Sequence, residues 1–169
     1  MRLELVGRAR VLGDDVNTDY IISSRRKKDT IDASKLKAFL LEAVDPAFAA
    51  SVQANDVLVA GRNFGCGSAM EVAVTVIRAA GIRAVVARSF SRSFYRNAVN
   101  NGLLPLECDT SQVREGDRLS LRVADNAIEL RDITTGQVLT PAPLPQAMQQ
   151  ILDAGGLVGF VRQRGTLRP

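Results

Sequence analysis

The stretch Val57-Leu58-Val59-Ala60-Gly61-Arg62-Asn63-Phe64-Gly65-Cys66-Gly67-Ser68 joins a short apolar run to a glycine-rich loop. Its first four residues predict a buried strand. Residues 69–80 are compatible with a helix, and Gly81 is a favourable helix end. Because residues 84–87 form a second apolar run, this part of the chain predicts a strand–loop–helix–strand unit with a parallel crossover.

The glycine-rich loop has the features of an anion-binding turn. Gly65 and Gly67 permit backbone conformations that other residues avoid, and they let another molecule approach the main chain. The N–H groups and the dipole at a helix N-terminus favour a negative charge. We therefore expect a carboxylate or phosphate to lie against Ser68 and the amides of Ala69 and Met70.

Two other interpretations of the loop stay open. Glu71 follows Ser68 by three residues, which is the capping-box pattern, so Ser68 could be only a helix N-cap beside a tight turn. Cys66 could be a reactive thiol, because helix N-termini lower the pKa of a thiol. The loop is not a P-loop, and Met70 occupies the third glycine position of the dinucleotide fingerprint.

The rest of the chain predicts an α/β fold with a mixed sheet and an added antiparallel hairpin. The predicted elements are a strand at 3–12, helices at 35–41, 91–101 and 146–154, a strand at 103–106, and a hairpin at 117–132 turning near 125–126. Residues 23–34 are the best candidate for a mobile loop. We expect a single domain over residues 1–169, with its core at about 3–110 and the C-terminal hairpin and helix at 111–169.

Composition excludes several kinds of chemistry. The chain has no histidine, so it cannot form a Ser-His-Asp or Cys-His catalytic set alone. Its two cysteines, Cys66 and Cys108, cannot hold an iron–sulfur cluster by themselves, and they predict no metal site and no disulfide framework. If the chain catalyses a reaction, it must borrow a metal or a base.

Charge and hydropathy bear on partners and location. No apolar run reaches the roughly 18 residues of a membrane helix, and the N-terminus is too short and charged for a signal peptide, so we expect a cytoplasmic protein. The net charge is +4, but only Arg25-Arg26-Lys27-Lys28 form a tight basic cluster. That cluster is either a solvated loop or an attractor of an anionic ligand or partner. Few aromatic residues and no recognisable nucleic-acid module argue against RNA binding.

Several blocks of the sequence resemble the swivelling domain of the aconitase superfamily, and most of all the free-standing small subunit of 3-isopropylmalate dehydratase. The resemblance covers roughly residues 8–107. It rests on Gly61-Arg62-Asn63-Phe64-Gly65-Cys66-Gly67-Ser68, on Asp15-Val16-Asn17-Thr18-Asp19-Tyr20-Ile21-Ile22, and on residues 79–82, 89–98 and 101–105.

The resemblance implies a β/β/α swivelling domain that closes over a large partner subunit. That partner would carry a 4Fe–4S cluster on three cysteines, with one iron open to substrate. The implied reaction moves a hydroxyl by dehydration and rehydration of a small anionic hydroxy acid. The leading substrate is 3-isopropylmalate, in leucine biosynthesis. No cofactor would be bound by this chain.

The resemblance also implies roles for individual residues. Ser68 matches the serine that acts as base, and Asp19 matches an active-site aspartate. Arg25 or Arg26 lies in the loop where the family places substrate-recognition residues. Gly67 and Ala69 flank the serine and are expected to contact substrate, as is Met70.

The helix start departs from the family pattern Gly-Ser-Ser-Arg-Glu-His, because this chain has Gly67-Ser68-Ala69-Met70-Glu71-Val72. Arginine binds a carboxylate with two parallel hydrogen bonds, which Met70 cannot form. Losing such a contact costs about 2–5 kcal/mol if nothing replaces it. Three explanations compete: Arg25, Arg26 or Arg62 compensates; the substrate presents a different, more apolar group to Met70; or the site has lost activity, which would leave a non-catalytic anion-binding regulatory domain.

Overall fold

A seven-stranded mixed sheet forms the centre of the fold in the computed structural model, which describes residues 2–28, 30–124 and 127–165. In chain order the strands are β1 (Leu3–Val11), β2 (Val57–Ala60), β3 (Ala84–Ala87), β4 (Leu104–Glu107), β5 (Arg118–Ala124), β6 (Ala127–Asp132) and β7 (Val138–Leu139). Their order across the sheet is β4-β3-β2-β1-β5-β6-β7.

Strand β1 joins a parallel half of the sheet to an antiparallel half. Its residues 9–11 pair parallel with β2, whereas residues 3–8 pair antiparallel with β5. Strands β2, β3 and β4 are parallel, and β5, β6 and β7 are antiparallel. The expected α/β fold with a mixed sheet and an added antiparallel hairpin is confirmed. The expected hairpin turn at 125–126 lies outside the described residues.

Seven α-helices lie among the described residues. They are α1 (Thr18–Ile21), α2 (Ala33–Leu36), α3 (Phe48–Ser51), α4 (Glu71–Ala79), α5 (Arg92–Asn100), α6 (Gln146–Asp153) and α7 (Leu157–Arg164). Two 3-10 turns, Arg26–Lys28 and Lys37–Phe39, join them. The helix expected at 35–41 is wrong in its bounds, because the chain changes to a 3-10 turn and then reaches Leu41 with φ of +56°. The elements α1, α3, α7 and β7 were not predicted.

The apolar core lies on both faces of the sheet. In β2, Leu58 and Ala60 pack into one buried cluster, whereas Val57 and Val59 pack into another. All four side chains are buried, as expected for a central parallel strand covered on both faces. The loop that follows β2 therefore starts from a fixed point.

A cluster of three phenylalanine rings anchors the middle of this loop. The Phe64 ring meets the Phe94 ring edge to face at 4.9 Å between centroids, and it meets the Phe90 ring at 6.0 Å. Gly65 follows with φ of +76°, and a Cβ atom there would lie 2.2 Å from Cγ of Phe94. Only glycine fits this position, because both the backbone conformation and the space exclude a side chain.

Asp56 connects the start of β2 to β1. Its carboxylate accepts hydrogen bonds from Nη2 of Arg8 at 2.8 Å and from the backbone N–H of Gln53 at 3.0 Å. Nη1 of Arg10 lies 3.5 Å away. Burial raises the pKa of Asp56, but the hydrogen bonds and the two arginine charges outweigh that effect and leave the pKa below its usual value.

We predict that Gly65→Ala destabilises the protein by about 3 kcal/mol, because left-handed strain and overpacking against Phe94 add. The measurement is urea unfolding followed by circular dichroism. Gly136→Ala is the matched control: its φ is +78°, but nothing lies within 4 Å of the added Cβ. It should cost only about 1 kcal/mol. Equal losses in the two variants would contradict the packing described for Phe94.

We also predict that Asp56→Asn lowers the free energy of unfolding by about 2 kcal/mol at pH 7, because charged hydrogen bonds are lost. The pKa of Asp56 is lower in the folded chain, so its stabilisation is present above the unfolded pKa near 3.8 and is lost as pH falls through the folded pKa. The free energies of unfolding of wild type and Asp56→Asn should therefore converge in acid. Glu4→Gln, on the exposed side of β1, serves as the control. If Asp56→Asn stays less stable than wild type in acid, the ionic explanation is wrong.

Candidate active site

The loop that carries Ser68 is held on one side by the segment before α1. The backbone N–H of Gly65 donates to the carbonyl of Val16, and the N–H of Thr18 donates to the carbonyl of Cys66, each at 2.8 Å. The hydroxyl of Thr18 donates to the carbonyl of Ser68 at 2.9 Å. The position of the Ser68 backbone is therefore set by a residue fifty positions earlier in the chain.

The other side of the loop is held by the segment before α5. The N–H of Phe64 donates to the carbonyl of Ser89 at 3.0 Å, and the N–H of Ser91 donates to the carbonyl of Phe64 at 2.9 Å. The Ser91 hydroxyl also donates to the carbonyl of Gly65 at 2.6 Å and caps α5. The loop is thus fixed between two separate parts of the chain.

Gly67 stands where no side chain fits. Its φ is +89°, and a Cβ atom there would lie 2.5 Å from Oδ1 of Asn17. The same Asn17 oxygen accepts the N–H of Asp19 at 2.9 Å and so caps α1. The Gly67 backbone therefore packs directly against the residue that caps α1, and Ser68 is the next residue of the loop.

The predicted capping box at Ser68 is wrong. Helix α4 begins at Glu71, its N-cap is Met70 in an extended conformation, and no side chain caps it. The Thr18 hydroxyl bonds the Ser68 carbonyl, and the helix starts three residues later, at Glu71. The expectation that an anion binds against Ser68 and the amides of Ala69 and Met70 stays a prediction. The N–H groups of these two residues donate no hydrogen bond to any described residue.

The side chain of Ser68 is open to an incoming molecule. Ser68 and Ala69 are exposed, whereas Met70 is only 7% exposed and packs with the core. Within the described part of the chain, the Ser68 hydroxyl has no hydrogen-bond partner. A nucleophile or base that faces a partner molecule needs this kind of freedom.

Two of the three arginines expected to bind substrate are already paired. Arg26 makes two hydrogen bonds to Glu42, at 2.9 and 2.8 Å, and its guanidinium lies 3.8 Å from the Phe39 ring centroid. Arg62 pairs with Asp14 at 3.2 Å. Hydrogen bonds from the arginines hold the pKa of Glu42 and of Asp14 below their usual values.

Asp19 and Arg25, which were also expected to bind substrate, lie around the start of the loop at 23–34. Asp19 is exposed, and its Oδ1 accepts the N–H of Ser24 at 3.1 Å. That bond fixes the loop where it leaves α1. Arg25 is exposed, and its guanidinium has no ion-pair partner among the described residues.

One contact near the glycine loop could not be predicted from the sequence, and it involves Lys27. Its Nζ lies 2.9 Å from Sδ of Met70, so the basic loop reaches the residue that precedes α4. The only signal in the sequence was the basic cluster at 25–28, which does not show which cation faces the glycine loop.

The described residues include no group of three or more Cys, Asp or Glu side chains placed to hold a metal ion. Sγ of Cys66 donates to the carbonyl of Asp15 at 3.3 Å. Burial raises the pKa of Cys108 to about 11, so that thiol stays protonated. None of the described helices is long and apolar enough to cross a membrane.

Comparison with known proteins places this arrangement in a family. Residues 17–111, more than half of the chain, match the model of the aconitase C-terminal domain. The 3-isopropylmalate dehydratase small subunit 1 of Methanopyrus kandleri is 44% identical over 98% of this chain and 96% of its own length. The isopropylmalate/citramalate isomerase small subunit of Methanocaldococcus jannaschii is 40% identical over 97% of each.

A solved structure shares the whole fold. The crystal structure of 3-isopropylmalate dehydratase from Methanocaldococcus jannaschii superposes with a TM-score of 0.90 at 37% identity, covering 96% of both chains. The resemblance noted in the sequence is therefore confirmed, and this chain belongs to the aconitase C-terminal domain family, among the small subunits of 3-isopropylmalate dehydratases.

Proposed function

We propose that this chain is the small subunit of an iron–sulfur hydro-lyase that interconverts 2-isopropylmalate and 3-isopropylmalate in leucine biosynthesis. The names of its relatives support this assignment, since they are dehydratase or isomerase small subunits across nearly their whole length. A small subunit implies a large one, and we infer that the chain is active only with that partner.

The observation that carries the proposal is the presentation of Ser68. Its backbone is fixed by Thr18 and by the glycine loop, whereas its hydroxyl is exposed and unpaired among the described residues. In the proposed step, the Ser68 alkoxide removes the proton from the carbon next to a substrate carboxylate, and the substrate hydroxyl departs to give the alkene. Return of the proton and of the hydroxyl at exchanged positions gives the isomer.

An ordinary serine is a poor base, so its ionised form needs stabilisation. Helix α4 begins three residues beyond Ser68, and its N-terminus contributes positive potential. The chain's own residues do not fit a 4Fe–4S cluster, because it has only two cysteines. We infer that the large subunit holds the cluster, which when bound supplies Lewis-acid chemistry at the substrate hydroxyl.

The substrate class follows from the relatives and from the site. Isopropylmalate and citramalate, the compounds named for the relatives, are both hydroxy dicarboxylates. Such a substrate is a small anion, which suits a loop with exposed amides and nearby cations.

The lack of a disulfide framework supports a reducing compartment, and we place the enzyme in the cytoplasm.

We predict that Ser68→Ala, assembled with the cluster-bearing large subunit of the same organism, lowers kcat for 3-isopropylmalate by about a thousandfold through loss of the base. Absorbance of the alkene intermediate measures the dehydration step. Ser111→Ala, which alters an exposed serine on a distant loop, is the matched control and should leave kcat unchanged.

Full activity of Ser68→Ala would contradict the mechanism in which Ser68 is the base. A second result would contradict the function itself: the isolated chain binds 3-isopropylmalate tightly in calorimetry, while the assembled complex shows no dehydration. That pair of results would favour a regulatory anion-binding domain.

A further inference from the structure

A pocket of about 590 Å³ lies between α5 and α6, and no residue proposed above for catalysis or substrate binding lines it. Its volume falls in the range of roughly 300–1,000 Å³ that is usual for small-molecule sites. The wall is mostly apolar, with Phe90 and Val99 on the α5 side and Met148 and Ile151 on α6. Val99 is buried, and Met148 and Ile151 pack against the core, so the core supports this wall.

Charged side chains of both signs line the same pocket. Arg92 and Arg96 are four residues apart on α5, which places them on one face of the helix. Glu107, at the end of β4, brings a carboxylate. Within the described ranges none of these three side chains belongs to an ion pair. The pocket therefore contains two arginine charges and one carboxylate charge that no other described residue neutralises.

Glu107 and Tyr95 also have polar atoms available to a ligand. Oε1 of Glu107 accepts the N–H of Phe90 at 3.3 Å, and Oε2 has no hydrogen-bond partner among the described residues. The Tyr95 hydroxyl likewise bonds to no described residue. Burial raises the pKa of Tyr95, and the Glu107 charge adds to this effect, so the hydroxyl stays a donor at neutral pH. The pocket thus offers both a donor and an acceptor beside its apolar wall.

The two signs of charge limit the kind of ligand that fits. A molecule with only negative charge would meet a like charge at Glu107, and one with only positive charge would meet Arg92 and Arg96, which costs binding energy in either case. A fully apolar molecule would displace water from these charges and give no partner in return. An apolar or aromatic α-amino acid carries one carboxylate, one ammonium and an apolar side chain, so it matches all three features.

We propose that the pocket between α5 and α6 binds an apolar or aromatic α-amino acid. The carboxylate of the ligand lies at Arg92 and Arg96, and its ammonium lies at Glu107. The side chain of the ligand packs against Met148 and Ile151, where a thioether sulfur is a favourable neighbour for an aromatic ring.

The pocket lies next to the structure that supports the glycine loop. Phe90 lines the pocket, and its ring meets the Phe64 ring of the loop at 6.0 Å between centroids. The N–H of Phe90 is also the group that bonds to Glu107. An amino acid bound at Glu107 therefore contacts the anchor of the loop that carries Ser68, although its binding does not depend on the reaction assigned to Ser68.

The first test uses L-phenylalanine as the probe and follows the amide NMR shifts of the isotope-labelled full chain. Shifts should appear at residues 90–100 and 147–151 and saturate with a Kd of about 1 mM or lower, as expected for a ligand of this size. L-phenylalaninamide, which lacks the carboxylate, should bind at least about tenfold more weakly. N-acetyl-L-phenylalanine, which lacks the ammonium, should be weakened equally.

Two outcomes of this titration overturn the proposal. The first is that L-phenylalanine causes no saturable shift at residues 90–100 and 147–151. The second is that N-acetyl-L-phenylalanine binds as tightly as L-phenylalanine, which would identify the C-terminus of a peptide as the occupant. These titrations use only the wild-type chain, so they do not depend on the folding of any variant.

Variants then test the two charged partners separately. Glu107→Gln keeps an oxygen for the Phe90 N–H and should weaken L-phenylalanine at least about tenfold, but leave N-acetyl-L-phenylalanine unchanged. The double variant Arg92→Gln and Arg96→Gln should weaken both compounds by a similar factor. Arg162→Gln, an exposed arginine of α7 outside the pocket, is the matched control and should bind as wild type does. Wild-type affinity for L-phenylalanine in Glu107→Gln or in the double variant overturns the proposal.

Discussion

The hydrogen bonds between residues 16–18 and the glycine loop set the geometry on which the candidate site depends. They bring the start of α1 against residues 65–68 and leave no room for a side chain at Gly67. The Thr18 hydroxyl ends this set of bonds at the Ser68 carbonyl. Because the backbone on both sides of Ser68 is held, the exposed hydroxyl points from a rigid support rather than from a free loop. Preorganisation of this kind is what a base needs when its substrate is bound mainly by a partner subunit.

The distribution of charge around the loop follows from the same arrangement. The sequence placed Arg26 and Arg62 among the candidate substrate-binding residues. In the structure each is paired with a carboxylate of this chain and holds its own loop in place. Lys27, the next residue after Arg26, instead contacts the residue before α4, with its Nζ 2.9 Å from Sδ of Met70.

Local patterns were sufficient to predict the parallel half of the fold. Strand β2 was predicted at its observed bounds, because four consecutive apolar residues between polar ones indicate a buried strand. Helices α5 and α6 were also placed to within a residue or two, by Ser91 as cap and by the proline-rich connector before Gln146. The mixed sheet followed from the crossover and the alternating hairpin.

The errors arose where distant contacts override local preference. The sequence around Ser68 and Glu71 favours a capping box, but the Thr18 hydroxyl, fifty residues away, bonds the Ser68 carbonyl, and the helix N-cap is the extended residue Met70. The pairing of Arg26 with Glu42 cannot be read from spacing, since it depends on how α2 and the turn after it fold back. The contact of Lys27 with Met70 was missed for the same reason: nothing local distinguishes Lys27 from its three basic neighbours.

The role of Ser68 is tested most directly by a crystal structure of this chain assembled with its large subunit and 3-isopropylmalate. We predict that the Ser68 hydroxyl lies about 3 Å from the substrate carbon that bears the transferred proton, with the Thr18–Ser68 hydrogen bond intact. A complex in which Ser68 faces solvent, or in which the substrate binds away from the glycine loop, would contradict it.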